Sequence, residues 1–368
     1  MEFLATTNRG LEPLAVEEIA DLTGAAATKR HPGVVRFEAS RTVIPLLNRR
    51  ARTLHRVLVL VADTRVTALD DVYQAARSID LQRYLAPRQA FAIRSSRHGD
   101  HAFTSPEIAE TAGQAVVDAS RSAFGQRLPV DLDDPDVTLR AYVRHDRFAL
   151  AIDATGESLH RRPYRVREHR APVRPTAAAA MVRLAGSGDG LIDPMCGSGT
   201  IPIEAALRRR GISPTRGRSE FAFADLTFVD DSGDQDGGAD ETADGRRHET
   251  VDGPPIEGVD VVPACVECAR ENATAAGVES SVDFRQGDAT AVDLDRSAVV
   301  VDLPFDVRTD HDLPRLYADF SRQLRRGDWE TLVALTTRPD LLDLDADPSD
   351  EYAVRQGRME AAVLVVRR

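Results

Sequence analysis

The chain has 368 residues, enough for two compact domains with separate cores, and its hydrophobic share of 42% is ordinary for a globular protein. No run of eighteen apolar residues occurs, and the first residues, MEFLATTNRG, lack the charged-then-apolar layout of a signal peptide. A soluble, cytoplasmic protein with no membrane partner is therefore expected. Three cysteines are too few for a disulfide framework, and Cys265 with Cys268 lack the second pair a tetrahedral metal site would need, so no metal is expected.

The formal charge of −12 at first argues against a nucleic-acid partner, because phosphate contact needs Lys and Arg. The charge is unevenly spread, however. Residues 1–183 carry 27 basic and 22 acidic side chains, a net of +5; the remainder carries 20 and 37, a net of −17. Lys29 is the only lysine. This Lys-poor, Asp-rich composition reads as adaptation to high salt, where carboxylates keep a surface hydrated; a codon bias toward Arg plus one acidic loop is the plainer alternative. Neither excludes RNA.

In chain order, residues 1–160 mix helical stretches (Leu11–Leu22, Pro106–Phe124) with strand-like runs (Val57–Ala62, Phe91–Arg94, Thr138–Val143, Arg147–Asp153), an α+β pattern. Residues 161–183 read as a linker and the start of a second domain, 184–368. There strand and helix alternate: strand Leu191–Asp193, helix Thr200–Arg210, strand Gly258–Val262, helix Ala264–Ala276, strand Val282–Gln286, strand Ala298–Asp302, helix Leu313–Arg325 and strand Thr331–Thr336. That alternation predicts a parallel sheet covered by helices on both faces. Glu351–Arg358 and Ala361–Arg367 have no helix between them and predict an antiparallel hairpin at the sheet edge. Residues 229–255, rich in Gly and Asp and nearly free of apolar residues, read as a disordered acidic loop.

The first strand of the second domain runs into Asp193-Pro-Met-Cys-Gly-Ser-Gly-Thr200. Gly197 and Gly199 let the backbone turn tightly into a helix whose free N–H groups, beginning at Thr200, face a ligand. A dinucleotide fingerprint would need a third glycine, which is missing, and the carboxylate of Asp193 suits a cationic amino-acid moiety better than a pyrophosphate. Asp260 ends the next strand, where it can accept from ribose hydroxyls, and Asp288 follows the third, within reach of an adenine amine. Any one of these aspartates alone reads best as a turn or cap residue. Three at successive strand ends point to a nucleoside carrying an amino acid, S-adenosylmethionine.

The fourth strand ends in Asp302-Leu303-Pro304-Phe305. This resembles the (Asn/Asp)-Pro-Pro-(Tyr/Phe) motif of amino-group methyltransferases. An exocyclic amine is a weak nucleophile because its lone pair is delocalised into the ring. Asp302 and the carbonyl beside Pro304 can hold its N–H groups, Pro304 stiffens the loop, and Phe305 can stack on an extruded base. A buried Pro-Phe turn is the competing reading.

Arg174-Pro-Thr-Ala-Ala-Ala-Ala, the Asp193–Glu204 run and Phe221-Ala-Phe223 resemble the THUMP-containing guanine-N2 RNA methyltransferases. Val130–Asp136 and Gly156–Tyr164 resemble the end of a THUMP domain, and the first 40 residues the ferredoxin-like segment before it. The resemblance implies a Rossmann-like class I methyltransferase domain, a seven-stranded sheet with a C-terminal antiparallel hairpin, behind an RNA-binding region over 1–160. It further implies transfer of methyl from S-adenosylmethionine to a guanosine of tRNA, with Leu303 and Arg308 pointing to the acceptor stem (position 6); the sequence leaves the oligomeric state undetermined, a monomer being favoured. The alternatives are ribosomal RNA or another tRNA position, or an inactive RNA-binding paralogue. The family carries Gly where this chain has Asp306, which places a side chain beside the target pocket. Arg161, Arg162, Arg165, Arg167 and Arg170, with Arg308, are expected to bind RNA, and Arg49, Arg50, Arg52 and Arg56 form a second dense group.

Overall fold

The computed structural model describes residues 1–168, 172–186, 190–231, 254–305, 312–357 and 359–368. Most of the acidic stretch 229–255, together with Arg170, Asp306 and Arg308, lies outside the described residues. No described helix is long and apolar enough to cross a membrane.

The first half builds one sheet from β1 (Glu2–Thr7), α1 (Glu12–Thr23), β2 (Ala27–His31), β3 (Val34–Glu38), α2 (Val43–Arg50), β4 (Leu54–Arg65), α3 (Leu69–Arg77), β5 (Phe91–His98), α4 (Ser105–Phe124), β6 (Val137–Arg144) and β7 (Arg147–Asp153). Its strand order is β2-β3-β1-β4-β7-β6-β5, antiparallel except between β5 and β6. The sequence reveals β6 because VTLRAYVR alternates buried and half-buried residues with the period of a strand. At the start of α4, Glu107 accepts from both the amide and the hydroxyl of Thr104, and Gly125 closes the helix in the left-handed region. β4 is twice the length the sequence suggests, because its outer part is only half-buried and lacks an apolar run.

The second half follows as α5 (Pro175–Ala185), β8 (Leu191–Asp193), α6 (Thr200–Arg209), β9 (Ile256–Asp260), α7 (Pro263–Ala276), β10 (Asp283–Gln286), β11 (Ala298–Asp302), α8 (Leu313–Arg326), β12 (Thr331–Thr336), β13 (Asp350–Gln356) and β14 (Met359–Arg367). The order is β10-β9-β8-β11-β12-β14-β13, parallel up to β12 and antiparallel in the final hairpin. The four apolar residues of β11 are buried on both faces, as a central parallel strand requires. The parallel sheet and its edge hairpin are those expected from the alternation of elements.

The two halves share their cores. Leu11, just before α1, and Leu14 of α1 pack in the second core while Ala15 and Ile19 pack in the first, and Phe223 and Leu226 reach back into the first. Between them lies an ion pair with both side chains fully buried: Arg162 Nε donates to Glu204 Oε1 at 2.9 Å. The same guanidinium donates to the carbonyls of Leu159 (2.8 Å) and Arg52 (2.7 Å), and the Tyr164 hydroxyl donates to Glu204 (3.0 Å). Arg162 is thus not an RNA ligand, contrary to the sequence expectation. Its charge is consumed inside the protein. Arg52 donates to the carbonyls of Leu207 and Ile212, and Arg56 pairs with Asp153, so these two residues of the other dense Arg group also hold the fold.

Arg162→Met should leave Glu204 charged and buried without its cation, a loss of about 3–5 kcal/mol in urea unfolding. A loss no larger than that of a surface Arg→Met control would mean the joint is not held by this pair.

A second feature of the joint is sensitive to pH. Nε2 of His55 lies 3.0 Å from the Thr176 hydroxyl, which also accepts from Asn8. His160 contacts Ser158 Oγ at 2.7 Å, and the two rings meet edge-on at 5.4 Å. Burial, then the neighbouring His160, Arg174, Arg162 and Arg56, pull His55 from 6.5 down to about 3. Burial and the surrounding arginines pull His160 to about 4. Both rings are neutral when folded but bind protons when unfolded below pH 6.5, so their contribution is present above that pH and lost on acidification. Between pH 7.5 and pH 5, His55 should cost about 2 kcal/mol of stability, with less from His160, which water reaches. Thermal melting of His55→Gln beside the parent checks this; equal slopes against pH would overturn it.

Candidate active site

A cavity of about 870 Å³ opens at the carboxyl ends of the parallel strands, where such sheets bind ligands. Asp193, Gly197, Thr200, Asp260, Asp288, Asp302 and Pro304 all contribute to its wall. The sequence reasoning selected each of them, and also Gly199 and Leu303, which are not part of the wall. It missed Pro172 and Val173, which precede α5, and Arg315 and Leu316 on α8. No local chemistry marks those four residues as a cavity wall.

Asp193 ends β8 with only 1% of its surface exposed, and Oδ1 accepts from the Met195 amide at 3.1 Å. Burial, reinforced by the charges of Asp302 and Asp260, pushes its carboxyl well above the usual range. No cationic side chain pairs with it among the described residues. The loop then turns through Gly197 (φ 53°) and Gly199 (φ 81°), closed by the Gly199 amide donating to Cys196 O at 2.8 Å. A Cβ on Gly199 would lie 2.8 Å from both Ala269 Cβ and the Phe284 ring, so this glycine also allows the loop to pack against α7 and β10. The buried Ser198 hydroxyl has no partner among the described residues.

Asp260, at the end of β9, is held by two amides: Gly197 N donates to Oδ2 (2.8 Å) and Val262 N to Oδ1 (2.9 Å). The Cys265 thiol also hydrogen-bonds to this carboxylate, which retains acceptor capacity for a further donor. Burial, then the charge of Asp260, pushes the Cys265 thiol up to about 12, which makes it a packing residue and not a nucleophile. Asp288 is exposed, and Oδ1 accepts from the Thr290 amide (2.8 Å) and hydroxyl (2.7 Å). It is a turn residue and a wall residue at once. Oδ2 has no partner among the described residues.

Asp302 ends β11 beside Leu335 of β12, and the Leu303 amide donates to Leu335 O at 2.9 Å. Phe305 is 4% exposed and is not part of the cavity wall, so stacking on a base would require uncovering its ring. Of the arginines expected to meet RNA, Arg161 and Arg167 are well exposed and pair with Glu157 and Glu271. Arg165 is mostly covered beside Glu168.

Three family models match in succession: the RlmL ferredoxin-like domain over 2–58, the THUMP domain over 66–153, and the RMKL-like methyltransferase domain over 162–358. The chain is 35% identical to a tRNA (guanine(6)-N2)-methyltransferase of Archaeoglobus fulgidus, over 89% of this chain and 80% of that one. It is 32% identical to the protein of the same name from Methanocaldococcus jannaschii, over 97% and 95%. A solved structure described as a methyltransferase complexed with SAH superposes with a TM-score of 0.86 at 24% identity, covering 100% of this chain and 97% of the other. At that identity the likeness speaks for the fold.

The methyl donor is S-adenosylmethionine, and the residues present fit it. Asp193 has no cationic partner among the described residues, which an ammonium group would supply, and Asp260 retains acceptor capacity for a ribose. Asp260→Ala should weaken S-adenosylmethionine binding by about 1–3 kcal/mol in calorimetry. Unchanged affinity would remove Asp260 from the cofactor site. With a matched methyltransferase domain, a THUMP domain and archaeal relatives over most of its length, the chain belongs to the THUMP-containing RMKL-like family of S-adenosylmethionine-dependent RNA methyltransferases.

Proposed function

We propose that the chain is a tRNA guanine-N2 methyltransferase acting on a guanosine of the acceptor stem, at position 6. The observation that carries this reading is that Asp302 and Pro304 share one cavity with Asp193, Asp260 and Asp288. An amine-accepting loop and a nucleoside-binding carboxylate set thus face the same space. The position follows the names of the two archaeal relatives.

S-adenosylmethionine supplies an electrophilic methyl group. The protein's own residues do the rest. Asp302 accepts from one N–H of the guanine amine and the Leu303 carbonyl from the other, which draws the nitrogen lone pair out of the ring. Pro304 limits the freedom of that loop. Asp193 holds the amino-acid portion of the cofactor, Gly197 and Gly199 give it access to the backbone at Thr200, and Asp260 and Asp288 hold the nucleoside. Residues 1–160 hold the RNA and residues 184–368 carry the chemistry, joined through 161–183. Arg161, Arg165 and Arg167, with Arg170 and Arg308, supply phosphate contacts in this reading; Arg162 does not.

The test is unmodified tRNA incubated with methyl-labelled cofactor and digested to nucleosides. N2-methylguanosine mapped to position 6 is expected. Label in ribosomal RNA alone, or no transfer despite cofactor binding, would overturn the assignment. Asp302→Ala should abolish transfer while cofactor affinity stays near that of the parent; parallel loss of both would make Asp302 a cofactor or folding residue.

A further inference from the structure

We propose that Tyr317, acting through Pro304, is a positioning residue that fixes the amine-accepting loop. This rests on reading Asp302–Phe305 as that loop. Tyr317 on α8 is fully buried, although its helix lies against the cavity. Its hydroxyl is 3.0 Å from the Pro304 carbonyl and 2.8 Å from Thr336 Oγ1, and Thr336 Oγ1 accepts from the Arg338 amide at 2.9 Å. A carbonyl can only accept, so the tyrosine proton goes to Pro304. The threonine proton then goes to the tyrosine oxygen. The result is a directed chain, Arg338 N–H to Thr336, Thr336 to Tyr317, Tyr317 to Pro304, that ties the loop after β11 to the loop after β12.

That chain has a geometric consequence. The Leu303 amide is held by Leu335 O at 2.9 Å, the Pro304 ring fixes its own φ, and Tyr317 fixes the carbonyl that follows. The peptide group between Leu303 and Pro304 is therefore held from both sides. With the Pro304 carbonyl occupied, the Leu303 carbonyl is the acceptor left for an amine in this reading, at a residue that is 1% exposed between the wall residues Asp302 and Pro304. A phenylalanine ring at 317 would fill the same space. Only a hydroxyl there sets the loop.

Tyr317→Phe removes the hydroxyl and keeps the ring. Its kcat for tRNA methylation should fall roughly 10- to 100-fold, the cost of misplacing a reacting group. Its cofactor affinity by calorimetry and its KM for tRNA should stay near those of the parent, and its melting temperature should fall only by the loss of one buried hydroxyl's bonds. Thr336→Val should lower kcat in the same direction and Thr336→Ser should recover most of it. A Tyr317→Phe enzyme with parental kcat, or one whose loss in kcat follows a loss of cofactor affinity or of folding, would overturn the proposal. A parent protein that methylates no tRNA would instead bring down the proposed function, and the role of Tyr317 with it.

Discussion

Three carboxylates meet at the end of one parallel sheet, and the site is organised around keeping them there. Asp193, Asp260 and Asp302 end adjacent strands, so the sheet itself brings their charges together. Asp193 bears the cost, because it is buried and its neighbours oppose its ionisation. Backbone amides relieve part of that cost: Met195 donates to Asp193, and Gly197 and Val262 donate to Asp260. Glycine at 197 and 199 follows from this constraint, since the loop must pass close to the aspartates and still pack against α7 and β10. A cationic group suits the arrangement, because it would offset the repulsion among these carboxylates.

Much of this was legible in the sequence because it lies in strand ends and loops, where residue type and conformation are tightly linked. The strand–glycine loop–helix order, the aspartates at successive strand ends and Asp302-Leu-Pro-Phe305 each carry their chemistry locally. The arginines were not legible in that way. A dense run of Arg looks the same whether its members face solvent or a buried carboxylate, and Glu204, the partner of Arg162, lies 42 residues away in what reads as a helix face. Tyr317 escaped for the same reason. At helical spacing it is one more core aromatic, and only the meeting of α8 with two loops reveals what its hydroxyl does.

The joint between the halves is built like an interior, not like a contact between separate bodies. Side chains of α1 serve two cores, Phe223 crosses back, and the polar groups between them pair with one another: Arg162 with Glu204, Asn8 and His55 with Thr176, Arg52 with two carbonyls. Satisfied buried polar networks of this kind favour one arrangement over many, because any shift leaves groups unpaired.

With the RNA held by residues 1–160 as proposed, a joint this closely packed would act as a ruler. An RNA end held on the N-terminal sheet would lie at a fixed span from Asp302, and the nucleotide presented there would be chosen by its distance along the helix, not by the bases around it. Lengthening or shortening an RNA stem by one pair would then move the methyl group to a different residue of the same stem, whatever that stem's sequence.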